Sequence, residues 1–250
     1  MIRAVTFDWW HTIAEPHLND PEQGSVRSWE EFAKEARVNG IAAVLRLFEM
    51  ETSTTVLSTA YDRWTEGLAE LWKQQVDMTA EEQVLEFLES AGLGGKAVPA
   101  LLLALEEPIG SPLVLKPPTI AADFPEVARA LREQGLAVGL ISNTGRTWGR
   151  FIRRVQEGLG IADLFDACLF SDEVRHRKPS PHIFTSALHA LGLPAAEVVH
   201  IGDDPVADVQ GAQAVGMRGI LCDRTGALAC DYADARIARF TELPEALRRW

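Results

Sequence analysis

Five short stretches of the chain are apolar at nearly every position, and each stops at a polar cluster. Residues 2–7 stop at Asp8, 136–141 at Ser142-Asn143, 167–170 at Ser171-Asp172, 198–201 at Gly202-Asp203-Asp204, and 218–222 at Asp223. A strand that is apolar throughout, and does not alternate, is covered on both faces, as in a parallel sheet. Between these runs, residues 125–133, 147–159, 181–191 and 205–215 carry apolar positions at helical spacing. Alternating strand and helix predicts a doubly wound parallel α/β domain. In such sheets ligands bind beyond the carboxyl ends of the strands, which would bring Asp8, Ser142, Asp203 and Asp204 to one crevice.

The middle of the chain reads differently. Trp29, Phe32, Ala33 and Ala36 are helically spaced, as are Val44, Leu45, Leu47 and Phe48. Tyr61, Trp64, Leu68, Leu71 and Trp72 form a second stripe, and Val84, Leu85, Phe87 and Leu88 a third. Strand signals are sparse, and Gly110-Ser111-Pro112 and Pro117-Pro118 punctuate the exit. The expected organisation is a core domain over 1–15 and 113–250, with a smaller all-helical domain over 16–112.

Composition narrows the partners. The chain has 250 residues, 47% hydrophobic and 24% charged, with a net charge of −12. That balance argues against disorder and against a generic nucleic-acid or anionic-membrane surface. Three cysteines, Cys168, Cys222 and Cys230, do not make a disulfide scaffold. The N-terminus lacks the pattern of a signal peptide, and the longest apolar run, residues 97–105, is half of what a membrane span needs. The expectation is a soluble cytoplasmic protein. The sequence does not fix an oligomeric state.

Four polar clusters could carry chemistry. Asp8, followed by Thr12, could be a nucleophile or a metal ligand, or could cap a turn. Ser142-Asn143-Thr144 suits a phosphate, or simply caps a helix. In Arg177-Lys178-Pro179-Ser180-Pro181, Pro179 extends Lys178 towards a cleft, and Ser180-Pro181 opens a helix. In Gly202-Asp203-Asp204-Pro205-Val206-Ala207-Asp208, Asp204 reads as an N-cap while Asp203 has no such role. Adjacent carboxylates beside Asp8 would repel without a cation, and Mg²⁺ is the natural one. Asp208, one turn on, could hold Lys178 or a metal-bound water in place.

Asp8, Ser142, Lys178 within Lys-Pro-x-Pro-x-Ile-Phe, and Gly-Asp-Asp-x-x-x-Asp, in this order and at these strand ends, resemble the haloacid dehalogenase (HAD) superfamily. The helical insert then resembles its cap, expected to close over the strand ends and carry substrate selectivity. The resemblance implies a HAD-like Rossmannoid core and an Mg²⁺-dependent phosphatase working through an aspartyl-phosphate. Asp8, Ser142, Lys178 and Thr12 would be catalytic, and Ser142, Asn143 and Lys178 would bind phosphate. Mg²⁺ would be held by Asp8, the backbone carbonyl of Trp10 and Asp203, with Asp204 and Asp208 in support.

The chain departs from the family's first motif, Asp-x-Asp-Gly-Thr, by reading Asp8-Trp9-Trp10-His11-Thr12. The second Asp is the family's general acid and base, and an indole cannot protonate a leaving alkoxide. His11 stands where the family has Gly; it is either a replacement proton carrier or a packed or solvated side chain. Four readings follow: a phosphatase with an altered acid, a 2-haloacid dehalogenase, a phosphonate-cleaving enzyme, and a non-catalytic Mg²⁺- and phosphate-binding descendant. Dehalogenation would need a cap arginine, from Arg27, Arg37 or Arg46. Phosphonate cleavage would need a cap lysine, from Lys34, Lys73 or Lys96. His200 reads as a packed strand residue, and the three cysteines carry no expected role. Residues 240–244 resemble the family's closing strand and helix.

Overall fold

The computed structural model describes residues 1–15 and 28–250. Contacts divide the chain into two units. The first comprises Met1–Glu15, Thr119–Asn143 and Gln156–Trp250, and the second comprises the described part of Pro16–Pro118 with Thr144–Val155.

The first unit is built on a six-stranded parallel sheet. Its strands are β1 (Ala4–Phe7), β4 (Ala137–Ser142), β5 (Ala167–Phe170), β6 (Val198–Gly202), β7 (Arg218–Cys222) and β8 (Ala235–Ile237). Their order is β5-β4-β1-β6-β7-β8, and every pairing is parallel. The five apolar runs are the first five of these strands. The closing strand expected within 240–244 lies earlier, as β8: it is three residues long, and exposed Arg236 breaks its apolar signal at the sheet edge. A separate antiparallel pair joins β2 (Ala14–Glu15) to β3 (Thr119–Ile120), too short to leave a periodicity.

The helices α6 (Phe124–Glu133), α7 (Gly149–Gly158) and α9 (Pro181–Leu191) follow the helical spacing, and α8 (Ser171–Val174) is a single turn directly after β5. The expected helix over 205–215 divides into a π-helix, Pro205–Gln210, and α10 (Gly211–Ala214). The end of the chain is a 3₁₀ turn, Phe240–Glu242, and a short helix, Leu243–Leu247. Beneath β1, Phe124 meets Phe7 and Phe240 edge-on at 5.3 and 5.6 Å and stacks on Phe165 at 5.7 Å.

The second unit contains α1 (Trp29–Leu47), α2 (Thr54–Lys73), α3 (Ala80–Ser90), α4 (Pro99–Gly110) and α5 (Pro112–Leu115), with no strand among its described residues. Ser28 with Glu31 and Thr79 with Glu82 form capping boxes that start α1 and α3. Ile41, Leu45, Leu57, Tyr61, Trp64, Phe87 and Leu105 share one core cluster. Leu47 and Leu85 do not belong to it: they are 82% and 39% exposed, because each lies just off its helix's buried face. The unit also runs past the expected end at 112. Residues 112–115 wind into a helix, and Val114, Trp148 and Phe151 pack on the same cluster. None of the described helices is long and apolar enough to cross a membrane.

Phe124 is fully buried at the meeting point of four rings. Phe124→Ala should cost about 3–5 kcal/mol in urea-induced unfolding, from lost transfer free energy plus the cavity left behind. A cost below about 1 kcal/mol would show that this ring cluster does not anchor the sheet.

Candidate active site

Asp8, Ser142 and Asp203 sit where β1, β4 and β6 give way to turns, while Lys178 lies in the loop before α9 and Asp208 in the π-helix after β6. Asp8 follows β1, and its N–H bonds Ile201 O on the neighbouring strand at 2.8 Å. The chain then folds back tightly. The Trp9 carbonyl accepts from Ile13 N at 3.0 Å and Ala14 N at 2.8 Å, and His11 N bonds Ala14 O at 2.8 Å. This turn puts His11 at φ 59°, the left-handed region that glycine enters most readily and that His tolerates better than bulkier residues. The His11 ring is exposed and bonds Glu15 Oε2 through Nδ1 at 3.0 Å. Trp9 is fully buried, and Trp10, half-buried, meets it edge-on at 6.4 Å.

Lys178 is the centre of the cluster. Its Nζ donates to Asp8 Oδ1 at 2.5 Å, Asp208 Oδ1 at 2.6 Å and Ile141 O at 2.8 Å, all buried. Asn143 clasps the backbone behind it: Oδ1 accepts from Lys178 N at 2.7 Å, and Nδ2 donates to Lys178 O at 3.1 Å. The amide expected on a phosphate is therefore spent on aiming the lysine. Ser180 caps α9, with Pro181 at its first position.

Asp208 accepts from three directions: Lys178, His200 Nε2 at 3.1 Å, and, through Oδ2, Asp204 N at 3.0 Å. Gly202 makes room for this, since a Cβ there would fall 2.1 Å from the Asp208 carboxyl carbon. Asp204 turns away to cap the π-helix, its Oδ1 accepting from Val206 N and Ala207 N at 2.7 and 2.9 Å. It is not in the carboxylate cluster. Asp203 is, and Thr12 Oγ1 approaches its Oδ1 at 3.4 Å. Ser142 ends β4 with its Oγ buried and without a hydrogen-bond partner among the described residues.

The electrostatics follow from one cation shared by two anions. Lys178 and the His200 hydrogen bond hold Asp208 well below the usual carboxylate range, overcoming its burial. Lys178 itself is held above its ordinary value by Asp208 and Asp8, against desolvation. Asp8 goes the other way. Burial pushes it up to about 7, with Asp208 and Asp203 adding repulsion that Lys178 only partly offsets. Asp203 is pushed up to about 6, chiefly by burial and by Asp208. Asp8, Asp203 and Asp208 offer oxygens that all lie within 4.8 Å of one another. Two hard carboxylates that resist ionisation without further positive charge fit a divalent cation of the Mg²⁺ type. Asp8 and Asp203 would hold it; the oxygens of Asp208 are already committed.

A parallel sheet that gathers a buried ammonium and a set of carboxylates near its strand ends defines an α/β domain with its candidate site where such sheets bind ligands. The sequence profile of the haloacid dehalogenase-like hydrolases matches residues 2–216, and the chain belongs to that family. The zebrafish (Danio rerio) haloacid dehalogenase-like hydrolase domain-containing protein 3 is 32% identical over 105 residues, 42% of each chain. The phosphoserine phosphatase of Thermus thermophilus is 36% identical over 104 residues, 40% of this chain and 41% of its own. The matched segments thus span less than half the length of these relatives. The structure of a 2-haloacid dehalogenase from Pseudomonas syringae pv. Tomato DC3000 covers the whole of both chains with a TM-score of 0.69 at 23% identity, a likeness of fold.

A carboxylate raised on folding contributes stability below its unfolded value of 3.8 and loses it as the pH climbs through the folded value, here about 7 for Asp8 and about 6 for Asp203. Mg²⁺ binds the ionised forms, so it should raise the melting temperature over EDTA much more at about pH 8 than at about pH 5. An equal shift at both, or none, would overturn the cation site.

Proposed function

We propose that the chain is an Mg²⁺-dependent phosphohydrolase of small phosphorylated metabolites, working through an aspartyl-phosphate on Asp8. What carries this reading is the Lys178 ammonium, buried within 2.5 Å of Asp8 Oδ1 and 2.6 Å of Asp208 Oδ1. It places fixed positive charge where a transferred phosphoryl group would gather negative charge. The phosphatase names of several relatives point the same way.

Asp8 Oδ attacks phosphorus, the phosphorus–oxygen bond to the leaving group breaks, and an acyl phosphate forms on Asp8. Lys178 balances charge on the phosphoryl oxygens, and Ser142 Oγ has a proton free to donate to one of them. Water then attacks the acyl phosphate, releasing inorganic phosphate and restoring the carboxylate. When bound, Mg²⁺ supplies positive charge that favours the ionised forms of Asp8 and Asp203 and offsets charge on the phosphoryl group.

The dehalogenase and phosphonate readings need groups that the described residues of the second unit do not set aside. Arg37 spends its guanidinium on Ile109 O, Tyr61 Oη and Thr147 Oγ1, and Arg46 is exposed, while Arg27 lies outside the described residues. A Schiff-base lysine needs a desolvated amine. Lys34 pairs with Asp62 and Lys73 with Glu70, both at 2.6 Å, and Lys96 is exposed.

Trp10 supplies no proton, so leaving groups that depart as weak bases are favoured. With Mg²⁺, acetyl phosphate and p-nitrophenyl phosphate should turn over about 10²–10⁴-fold faster than an alkyl phosphate, the usual worth of a general acid. Asp8→Asn should abolish release from all three. Phosphate release that survives in this variant would sink the covalent reading, and an equal rate on the alkyl ester would show that another group gives the proton.

A further inference from the structure

His200 is a buried titratable residue that the reaction above does not use. Its side chain is wholly buried on β6, and Phe184 packs edge-on against the ring at 5.3 Å and 82°. The sequence reads it as a packed strand residue, yet neither ring nitrogen is idle. Nε2 lies 3.1 Å from Asp208 Oδ1, and Nδ1 lies 3.0 Å from Thr6 Oγ1.

The proton can be assigned from chemistry. An ionised carboxylate only accepts, so Nε2 must carry hydrogen whether the ring is neutral or charged. In the neutral ring Nδ1 is then the acceptor, and the group facing it is the Thr6 hydroxyl, whose one proton has two acceptors within reach, Nδ1 at 3.0 Å and Val199 O at 3.2 Å. Thr6 and His200 are direct register partners on β1 and β6. These are the two strands that deliver Asp8 and Asp203. The sheet register thus sets a hydroxyl against Nδ1, and the Asp208 carboxylate sets the proton on Nε2.

We propose that His200 is a positioning residue. Its Nε2–H fixes Oδ1 of Asp208, the oxygen that also receives Lys178 Nζ, and so sets where the ammonium stands against Asp8. Without it Asp208 keeps only two donors, Lys178 and Asp204 N, and its oxygen is free to follow the lysine. The consequence for turnover rests on the phosphohydrolase reading; the tautomer rests on geometry alone.

The test uses the full chain with His200→Leu, His200→Asn and His200→Gln. Leu fills the space without a donor. Asn places its amide near the Nδ1 position, and Gln reaches the Nε2 position. With Mg²⁺ and acetyl phosphate, the Leu and Asn variants should lose about 10–100-fold in kcat with KM little changed, as when a group behind a catalytic side chain is removed. Gln should recover most of that loss although its melting temperature falls with the others. Equal losses in all three variants that track their melting temperatures would make His200 a packing residue and overturn the proposal, as would full activity in the Leu variant. If the wild type releases no phosphate from any substrate, the phosphohydrolase reading fails. The ¹⁵N spectrum of the imidazole then decides His200 alone: a proton on Nε2 supports the assignment, and one on Nδ1 only overturns it.

Discussion

One ammonium shared between two buried carboxylates sets the character of this site. Lys178 Nζ touches Asp8 and Asp208 at almost the same distance, and only one of them can be fully neutralised by a single charge. The competition is settled by the other donors. Asp208 has the His200 ring and the Asp204 amide besides, while Asp8 gains nothing further from the described side chains and faces Asp203. Asp208 therefore takes the larger share of the lysine, and Asp8 is left short of positive charge. Removing one partner of such a buried pair typically costs about 3–5 kcal/mol, because an uncompensated charge remains. That cost explains why so much local structure serves the pair: the Asn143 clasp behind Lys178, the absent side chain at Gly202, and the cap that keeps Asp204 out of the cluster.

The fold was legible where burial on both faces left continuous apolar runs, and lost where it did not. β1, β4, β5, β6 and β7 all announce themselves, each ending at a polar cluster. β8 carries Arg236 between two buried residues, and three positions do not establish an alternation. In the helical unit the stripes identify the helices but overreach at Leu47 and Leu85, since spacing of three and four also admits positions at the stripe's margin. The role of Thr144–Val155 in that unit had no local signal, because it arises from Trp148 and Phe151 packing on residues far away in sequence.

The site was legible as a set of residue types, and less so as a set of roles. Spacing singled out Asp8, Lys178, Asp203 and Asp208, and the structure gathers them. It could not tell which polar atoms are already spent. Asn143 and Ser142 are neighbours, and one is committed to backbone while the other keeps a buried hydroxyl unpartnered. His200 is packed within its strand as the sequence reads, but its two polar partners went unread although their signal was present. A histidine inside an otherwise apolar strand, eight residues before an Asp that follows the same strand, needs partners for two ring nitrogens.

The altered first motif separates two functions that one segment usually serves together. A turn is needed to aim Asp8 and to present a backbone carbonyl, and this is a matter of main-chain geometry. Two amides on the Trp9 carbonyl and a left-handed His11 close that turn without glycine. Proton transfer is a matter of side-chain chemistry, and the indole of Trp10 has none to offer. On the proposed phosphohydrolase reading, Trp10 at this position spares the turn while removing help to the leaving group, so substrates whose leaving groups need no proton would be favoured. The half-buried indole lies two residues from Asp8 and meets Trp9 edge-on, so its local contact is with that buried ring.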